Sequence, residues 1–297
     1  MTAPIVSVVI PTYNRAALVS ECLRGLERLT FDRSAFEVIV VDDGSAEPID
    51  HVVGEFEGRL SIVHVRQPRA GPGAARNTGV AKAKGRYAAF IDDDCVPAPG
   101  WLSILVEALD RNPAGMVGGS VVNTLLSNRY ADASDRISRF VYAYYGGTAV
   151  EPFFTTNNLA VSVDRFRDLG GFTTRIPSAT AEDKEFCDRW RGRGWPLVQV
   201  PAAIVHHAHN LTLAGFLRQH FNYGRGILAF RLIRRARVDG PIVPEPLGFY
   251  TGLVTSPLRD GGGLRATALV ALAQVATAAG ALREAVLGGR PPAGTAG

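Results

Sequence analysis

FEVIVVDDGS (residues 36–45) joins a run of mostly β-branched residues to two adjacent carboxylates and a Gly-Ser pair. A continuous apolar run of this length is typical of a strand buried on both faces of a sheet. The acids and turn residues that follow indicate a loop at the carboxyl end of that strand. Similar patterns occur in IVSVVIPTY (5–13) and YAAFIDDD (87–94). We therefore predict buried strands whose polar ends carry the function.

Amphipathic segments separate these strands. The predicted order is strand 5–10, helix 15–29, a strand within 36–45, helix 49–57, strand 60–66, helix 73–84 and strand 87–91. This alternation predicts βαβ units and a mostly parallel sheet with helices on both faces, an α/β fold. Ligands of such sheets bind beyond the carboxyl ends of the strands. The polar clusters at 12–14, 42–45 and 92–94 all follow predicted strands, so they are the candidate site.

The second half of the chain is less regular. It is predicted to contain helix 101–111, strand 115–122, a variable segment at 125–152, strand 157–162, helix 164–169, helix 181–191 and strand 197–205. We expect α+β material packed on the same sheet. DGPIVPEPLG (239–248) has three prolines in ten residues, which favours a boundary. The predicted domains are 1–238, with halves 1–100 and 101–238, and a helical extension with a flexible tail at 239–297.

Composition limits the class of protein. The chain has 297 residues, 46% of them hydrophobic and 20% charged, which is typical of a globular protein. The three cysteines are too few and too far apart for a disulfide framework or a zinc knuckle, so we expect a reducing compartment. The first residues reach proline and polar positions too soon for a signal peptide. These features predict a cytoplasmic protein.

The acidic triplet at residues 92–94 is the first candidate for chemistry. Mg²⁺ and Mn²⁺ prefer oxygen ligands, and protein carboxylates supply one or two of them beside phosphate and water. Residues i and i+2 of an extended segment share a face, so Asp92 and Asp94 can act together while Asp93 points elsewhere. The alternative is a solvated turn or a helix N-cap.

The order of the motifs is more specific than any one of them. The motifs are SVVIPTYNR (7–15), VIVVDDGS (38–45), AGPGAARNTGV (70–80), FIDDDCVP (90–97), TTNNLAVSVDRFRDLGGF (155–172), AEDKEFCDRW (181–190) and VHHAHN (205–210). The first four closely resemble the nucleotide-sugar-binding half of family 2 glycosyltransferases, and the resemblance covers about residues 5–235. It implies the GT-A fold and inverting transfer from a nucleoside diphosphate sugar.

The resemblance also implies roles for individual residues. Around the base of the nucleotide it implies Pro11, Thr12 and Tyr13. Asp43 would accept a hydrogen bond from the base imide, with Asp42 beside it, and Arg76 would contact the base or a phosphate. For Mn²⁺ or Mg²⁺ it implies Asp92 and Asp94, with His207 or His209 as a further ligand. Asn157, Asn158, Glu182 and Asp93 are added as substrate contacts, although the task of Asp93 stays open.

The Glu182–Asp183 pair resembles the family's ED motif, which implies that Asp183 is the catalytic base. A general base must come within hydrogen-bond reach of the acceptor hydroxyl. The alternative is structural, because Thr180-x-x-Asp183 also reads as a capping box at the start of a helix. Both interpretations are compatible, since a helix N-terminus favours an ionised carboxylate.

Three other functions compete with glycosyl transfer. A dinucleotide-binding dehydrogenase is disfavoured because GPGAAR (71–76) lacks the third glycine and does not follow the first strand. A sugar-nucleotide nucleotidyltransferase normally has a glycine-rich loop after strand one, which PTYNRAAL (11–18) lacks. A non-catalytic sugar-nucleotide-binding protein is disfavoured by Asp92, Asp94 and Asp183. The expected acceptor is a polysaccharide, a glycolipid or a lipid-linked glycan.

The C-terminal third raises the question of a membrane. Residues 211–238 contain six arginines and no acid, more positive charge than the net +4 of the whole chain. Such an amphipathic basic segment favours an anionic membrane surface, and the alternative is a helix packed on the domain. No nucleic-acid motif accompanies the charge. Residues 266–282 are predicted to be too short to span a membrane and to form a packing or interfacial helix. We expect a disordered tail at 289–297.

Overall fold

The computed structural model describes residues 3–125, 127–146, 153–176, 180–208, 210–238 and 245–287. The chain divides into two compact units. Unit 1 consists of Met1–Thr124, Phe153–Thr174 and Asp183–Ala208, and unit 2 of Leu125–Pro152, Arg175–Glu182 and His209–Gly297. The boundary predicted at 239–248 stays a prediction, because compactness does not test which part of the chain folds alone.

The chain forms eight strands and ten α-helices in its described parts. The strands are β1 (Val6–Thr12), β2 (Phe36–Asp42), β3 (Ile62–Arg66), β4 (Tyr87–Phe90), β5 (Cys95–Pro97), β6 (Met116–Asn123), β7 (Leu159–Ser162) and β8 (Leu197–His207). The helices are α1 (Ala16–Glu27), α2 (Asp50–Gly54), α3 (Pro72–Lys82), α4 (Trp101–Arg111), α5 (Arg129–Gly146), α6 (Val163–Leu169), α7 (Glu182–Gly192), α8 (Leu213–Val238), α9 (Leu247–Arg259) and α10 (Gly263–Leu287).

Unit 1 is built on one sheet with the strand order β3-β2-β1-β4-β7-β6-β8-β5. The four strands from β3 to β4 are all parallel, as the alternation of strands and helices predicts. Beyond β4 the sheet is mixed, because β7 is antiparallel to both of its neighbours and β5 is antiparallel to β8. The sheet therefore has a parallel half and a mixed half.

Both faces of the parallel half are buried, which explains the continuous β-branched runs. Val8 and Ile10 of β1 face a core shared with α1 and α4, while Val9 between them faces the opposite core. Successive side chains of a strand point to opposite faces, so a strand covered on both sides is mostly apolar, and its buried polar residues bind each other, as where the Ser7 hydroxyl donates to Glu37. On the second face, Gly79 of α3 is packed so closely that a Cβ there would lie 2.4 Å from Val9.

The register of the parallel strands brings the predicted polar clusters to one edge. Thr12 at the end of β1 pairs with Asp42 at the end of β2, and the 92–94 turn follows β4 directly. The parallel pairing of β1 with β4 starts at Val6 and Tyr87. The carboxyl ends of three neighbouring strands therefore carry the 12–14, 42–45 and 92–94 clusters.

Unit 2 contains α5, α8, α9 and α10. The backbones of α8 and α10 approach closely where two glycines lie: a Cβ on Gly224 would lie 1.8 Å from the Thr277 carbonyl oxygen, and one on Gly280 1.8 Å from that of Phe221. Arg225 of α8 forms an ion pair with Glu284 of α10 at 3.0 Å. The segment predicted as basic and amphipathic is thus one long helix joined to α10 by small residues and an ion pair.

Helix α10 differs from its prediction. It runs for 25 residues rather than the 17 expected, and among the described helices it is the one long and apolar enough, by length and composition, to cross a membrane. The predicted segment, 266–282, is only the uncharged run, whereas the helix continues through Arg283 and Glu284. The ion pair of Glu284 with Arg225 lets the helix continue past both residues. The predicted tail at 289–297 lies outside the described residues.

Candidate active site

The three carboxylates of the acidic turn between β4 and β5 have different sets of partners, although Asp93 and Asp94 share Arg15. The Cys95 amide donates to the Asp92 carbonyl oxygen at 3.1 Å, which closes the turn. The Asp92 carboxylate accepts from Nη2 of Arg76 at 2.6 Å, and the Arg76 side chain is only 4% exposed. Arg76 thus extends from α3 to the acidic turn, where it offsets part of the turn's negative charge.

Asp93 is the buried member of the triplet. Its Oδ2 accepts from the Thr12 hydroxyl at 2.7 Å and its Oδ1 from Nη1 of Arg15 at 3.1 Å. Burial raises the pKa of Asp93 to about 6, although Arg15 and Thr12 both act in the opposite direction. Asp93 is buried, and we propose that its contacts with Thr12 and Arg15 position the acidic turn.

Asp94 lies beside a histidine. Its Oδ1 is 3.3 Å from Nε2 of His207, and its Oδ2 accepts from Arg15 at 3.1 Å. The antiparallel pairing of β5 with β8 causes this contact, because it sets Cys95 opposite His207. Burial lowers the pKa of His207, but the hydrogen bond and charge of Asp94 outweigh it, so that the net shift is upward. His209, the other predicted ligand, lies outside the described residues.

These residues fit a divalent metal. Among the described residues, one group of potential ligands is close enough to share an ion: the ligand atoms of Asp94, Cys95 and His207 all lie within 4.8 Å of one another. Carboxylate oxygen and imidazole nitrogen are ordinary ligands of first-row divalent ions. Asp92 contacts Arg76, and Asp94 contacts His207.

Asp42 and Asp43 hold the loops at the ends of β2 and β3. Asp43 accepts from the Gln67 side chain and from the amides of Ala70 and Gly71, at distances of 2.7 to 2.9 Å. The fully buried Asp42 accepts from the Ser45 amide at 2.8 Å. Three donors therefore already orient the Asp43 carboxylate, and the loop before α3 is shaped around it.

The predicted base-binding segment is tied to the same loops. Asn14 has a positive φ of 55°, which asparagine tolerates better than most residues. Its amide donates to the Ser45 hydroxyl and its side-chain oxygen accepts from the Ala46 amide, both at 2.8 Å. The Arg69 guanidinium lies 4.2 Å from the centre of the Tyr13 ring. Pro11 is buried within β1, and Tyr13 is the partly exposed residue of the predicted pocket.

The two asparagines of the TTNN segment differ in burial and in their hydrogen bonds. Asn157 is partly exposed and accepts from the Thr155 hydroxyl at 2.7 Å. Asn158 is 2% exposed, donates to the carbonyl oxygens of Ser120 and Ala203, and accepts from the indole of Trp101. These bonds use the Asn158 side chain to join β6, β8 and α4. We therefore propose that Asn158 supports the sheet and that Asn157 contacts the substrate.

Asp183 lies in the first turn of α7, where its Oδ1 accepts from the Lys184 amide at 2.7 Å. The capping-box interpretation of Thr180 does not match the structure, because the helix begins at Glu182 and the Thr180 hydroxyl donates to the Asn222 carbonyl oxygen instead. Ala181, just before the helix, has φ of 74°, a strained value for alanine. Glu182 is 7% exposed, so the more exposed Asp183 is the better placed of the two acids for contact with a substrate.

Two residues of the acidic site were missed from the sequence. Arg15 bridges Asp93 and Asp94, and Cys95 places its sulfur 3.7 Å from Oδ1 of Asp94. Both residues lie inside motifs that were quoted, PTYNR and DDDC. A basic residue immediately before α1 is the available signal for Arg15, since an acidic triplet at a neighbouring strand end needs a counter-charge.

Comparison with known families agrees with this geometry. The family model of glycosyl transferase family 2 matches residues 7–169. The chain therefore belongs to glycosyl transferase family 2, and it is a glycosyltransferase. The predicted resemblance is confirmed.

Several curated relatives are glycosyltransferases. The chain is 29% identical to glycosyltransferase AglE of Haloferax volcanii over 238 residues, which are 79% of this chain and 76% of that protein. It is 41% identical to validoxylamine A glucosyltransferase of Streptomyces hygroscopicus subsp. jinggangensis, over 73% of this chain and 61% of that protein. It is 30% identical to pre-mycofactocin glycosyltransferase of Mycobacterium tuberculosis, over 80% of this chain and 50% of that protein. The chain thus spans about half to three quarters of these relatives.

Solved structures confirm the fold. Mannosyltransferase PcManGT from Pyrobaculum calidifontis, in complex with GDP-Man and Mn²⁺, matches with a TM-score of 0.70 at 20% identity, over 98% of this chain and 89% of that one. Staphylococcus aureus TarS 1–349 in complex with UDP matches with a TM-score of 0.54 at 16% identity, over 97% of this chain and 93% of that one. The predicted GT-A fold with a C-terminal helical extension is confirmed.

Proposed function

We propose that this glycosyltransferase moves a sugar from a nucleoside diphosphate sugar to an acceptor hydroxyl by metal-assisted direct displacement with inversion. The observation that carries the proposal is the contact of Asp94 with His207 beside the Asp92–Arg76 pair, at the carboxyl ends of β1, β2 and β4. A divalent ion held there, Mn²⁺ or Mg²⁺, would stabilise the negative charge of the departing diphosphate.

The chain's own residues have distinct proposed tasks. Asp94 and His207 hold the ion, and Asp92 assists them while Arg76 orients it. Asp183 accepts the proton of the attacking hydroxyl, which requires an ionised carboxylate within hydrogen-bond reach. Its position at the start of α7 favours the ionised form, because helix N-termini stabilise negative charge.

Nucleotide recognition is assigned to the linked loops at the ends of β1 and β2. We propose that the partly exposed Tyr13 ring stacks on the base, with Pro11 and Thr12 supporting it from β1. The Asp43 carboxylate accepts three hydrogen bonds, and a carboxylate has about four lone-pair sites. One site therefore remains for a base imide, while Asp42 keeps the loop in place.

A donor screen tests the proposed function. Purified full-length chain with Mn²⁺ should release nucleoside diphosphate from one of the UDP-, GDP- or dTDP-sugars, and chelation of the metal should abolish release. The acceptor panel should include a polysaccharide, a glycolipid and a lipid-linked glycan, since the proposed process is cell-wall or polysaccharide biosynthesis. Nucleotide release that is unchanged by chelation would contradict the metal-assisted mechanism.

We also propose that unit 2 contacts an anionic membrane surface, so that the enzyme is cytoplasmic and peripheral at the inner face of the membrane. The exposed arginines of α8 are Arg218, Arg234, Arg235 and Arg237. Along α10, Val275, Leu282 and Val286 are 66%, 66% and 71% exposed on one stripe of the helix. An exposed apolar stripe and a basic helix in the same unit match the chemistry of an anionic lipid surface.

Replacing three arginines of α8 should weaken vesicle binding. R234Q/R235Q/R237Q removes three positive charges that contribute about 1 kcal/mol each near an anionic surface, so partitioning should fall by about two orders of magnitude at low salt. Co-sedimentation with phosphatidylserine-containing vesicles measures this. The matched control R24Q/R28Q/R111Q removes three exposed arginines of unit 1 and should bind as the wild type does. Equal binding to vesicles without anionic lipid would contradict the proposal.

A further inference from the structure

The acidic turn and the end of β8 bring together three side chains of types that bind metals, Asp94, Cys95 and His207. Cys95 is fully buried and follows Asp94 directly, and the pairing of β5 with β8 sets it opposite His207. A carboxylate oxygen, a thiol sulfur and an imidazole nitrogen are thereby within 4.8 Å of one another. Three ligands of different types from two strands form a built cluster rather than an isolated cysteine.

Two of the three separations between the donor atoms match the edges of a tetrahedral site, and the third is within 4.8 Å. Oδ1 of Asp94 is 3.3 Å from Nε2 of His207 and 3.7 Å from Sγ of Cys95. Zinc bonds of about 2.0 Å to oxygen and nitrogen and about 2.3 Å to sulfur give tetrahedral edges of about 3.3 Å and about 3.5 Å. The observed separations agree with these edges to a few tenths of an ångström. Small side-chain shifts would therefore suffice to bind an ion.

The two carboxylate oxygens of Asp94 have different partners, and Arg15 binds one of them. Its Nη1 donates to Oδ2 at 3.1 Å, while Oδ1 faces both the sulfur of Cys95 and the ring nitrogen of His207. Residues that bond the second atom of a ligand orient it and tune its affinity. The carboxylate is thus held with one oxygen directed at the other two donors.

We propose that Cys95 is a third protein ligand at this site, so that the enzyme binds a thiophilic divalent cation, Zn²⁺ or Co²⁺, more tightly than Mn²⁺ or Mg²⁺. The inference rests on the proposed role of Asp94 and His207 as metal-holding residues and adds the sulfur to them. Sulfur and nitrogen ligands favour zinc and cobalt, whereas magnesium and manganese favour oxygen.

Coordination changes the protonation of the thiol. A bond between the cation and sulfur forms as the thiol proton passes to solvent, and no oxidant or reductant takes part. Three protein ligands leave a tetrahedral ion one open position, as in catalytic zinc sites. Zn²⁺ should therefore compete with Mn²⁺ for this enzyme.

Cobalt spectroscopy on the full-length chain, without donor sugar, tests the inference. Titration of the wild type with Co²⁺ should produce a thiolate-to-cobalt charge-transfer absorption that saturates at one equivalent and disappears on addition of Zn²⁺. Cys95→Ser should lose the absorption and bind Zn²⁺ more weakly by at least about tenfold. The matched control Cys187→Ser alters another buried cysteine, which lies against Met116 and Phe154, and should keep the absorption.

The wild-type titration is decisive even if the Cys95 variant fails to fold. Magnetic resonance of free Mn²⁺ follows the binding of either ion, because bound Co²⁺ displaces Mn²⁺. If an ion binds and no thiolate absorption appears with Co²⁺, Cys95 is not a ligand and the inference is wrong. That result leaves the proposed metal site of Asp94 and His207 intact. If neither ion binds, the metal assignment in the proposed function fails, and the inference fails with it.

Discussion

Asp183→Asn should lower kcat by about a hundredfold to ten-thousandfold, the range that general base catalysis contributes. The amide has nearly the same shape as the carboxylate but cannot accept the proton of the attacking hydroxyl. It can still accept the hydrogen bond from the Lys184 amide, so the start of α7 should be kept. Nucleoside diphosphate release in the presence of acceptor, measured over a range of donor concentrations, gives kcat and the donor KM separately.

The donor KM should change little, because Asp183 is proposed to act on the acceptor. Asp164→Asn is the matched control, since Asp164 is an exposed aspartate in the first turn of another helix of unit 1, α6. Any effect that both variants share reflects lost interaction with a helix N-terminus rather than loss of a base. Transfer at the wild-type rate by Asp183→Asn would remove Asp183 from the mechanism.

Asp94→Asn should weaken Mn²⁺ binding by at least about tenfold and lower turnover by about a hundredfold or more, because metal stabilisation of a leaving group contributes several kcal/mol. The substitution replaces a charged oxygen ligand with a neutral amide beside His207 and Arg15. Free Mn²⁺ measured by magnetic resonance reports binding, and diphosphate release at saturating Mn²⁺ reports turnover.

Raising the Mn²⁺ concentration should restore part of the turnover lost in Asp94→Asn, because the remaining ligands still bind the ion weakly. Asp168→Asn is the matched control, an exposed aspartate of unit 1 placed in α6. Unchanged Mn²⁺ affinity in Asp94→Asn, with turnover at the wild-type level, would show that this carboxylate does not hold the metal.

The parallel half of the sheet could be predicted from local pattern because its strands are buried on both faces. VSVVI in β1 has one polar residue, Ser7, and VIVV in β2 has none. The length and the ends of both strands can therefore be recognised in the sequence. β5 was not predicted. It has only three residues, and what makes it a strand is its pairing with β8, more than a hundred residues later in the chain.

Helix α5 was not predicted, and α9 lies within the predicted helical extension at 239–297 although its own bounds were not predicted. α5 was read as part of a variable segment, although it has a charged face supported by the i,i+4 pair of Asp132 with Arg136. α9 follows a proline-rich stretch and contains Pro257, both of which normally argue against a helix. In both cases the apolar face can be recognised only beside the helix on which it packs, as where Phe140 of α5 packs against Phe249 of α9.

The candidate site was predictable as a set of strand ends but not as a set of contacts. Motif order placed the three acids at one edge of the sheet. It did not reveal that Thr12 and Arg15 bind Asp93, and it left open whether His207 or His209 is the metal-binding histidine, of which His207 lies beside Asp94. Such contacts depend on strand register and on side-chain direction, neither of which appears in the local sequence.

The hydrogen bonds that run from Thr12 through Asp93 and Arg15 to Asp94 have a consequence for how this enzyme can change. They join the end of β1 to the acidic turn, so the two segments should be inherited together although 81 positions separate Thr12 from Asp93. A substitution on either side leaves a buried carboxylate poorly compensated, so changes there should arise in pairs. Transplanting residues 12–15 and 92–94 together from one relative to another should therefore transfer its donor preference. Transplanting either segment alone should not.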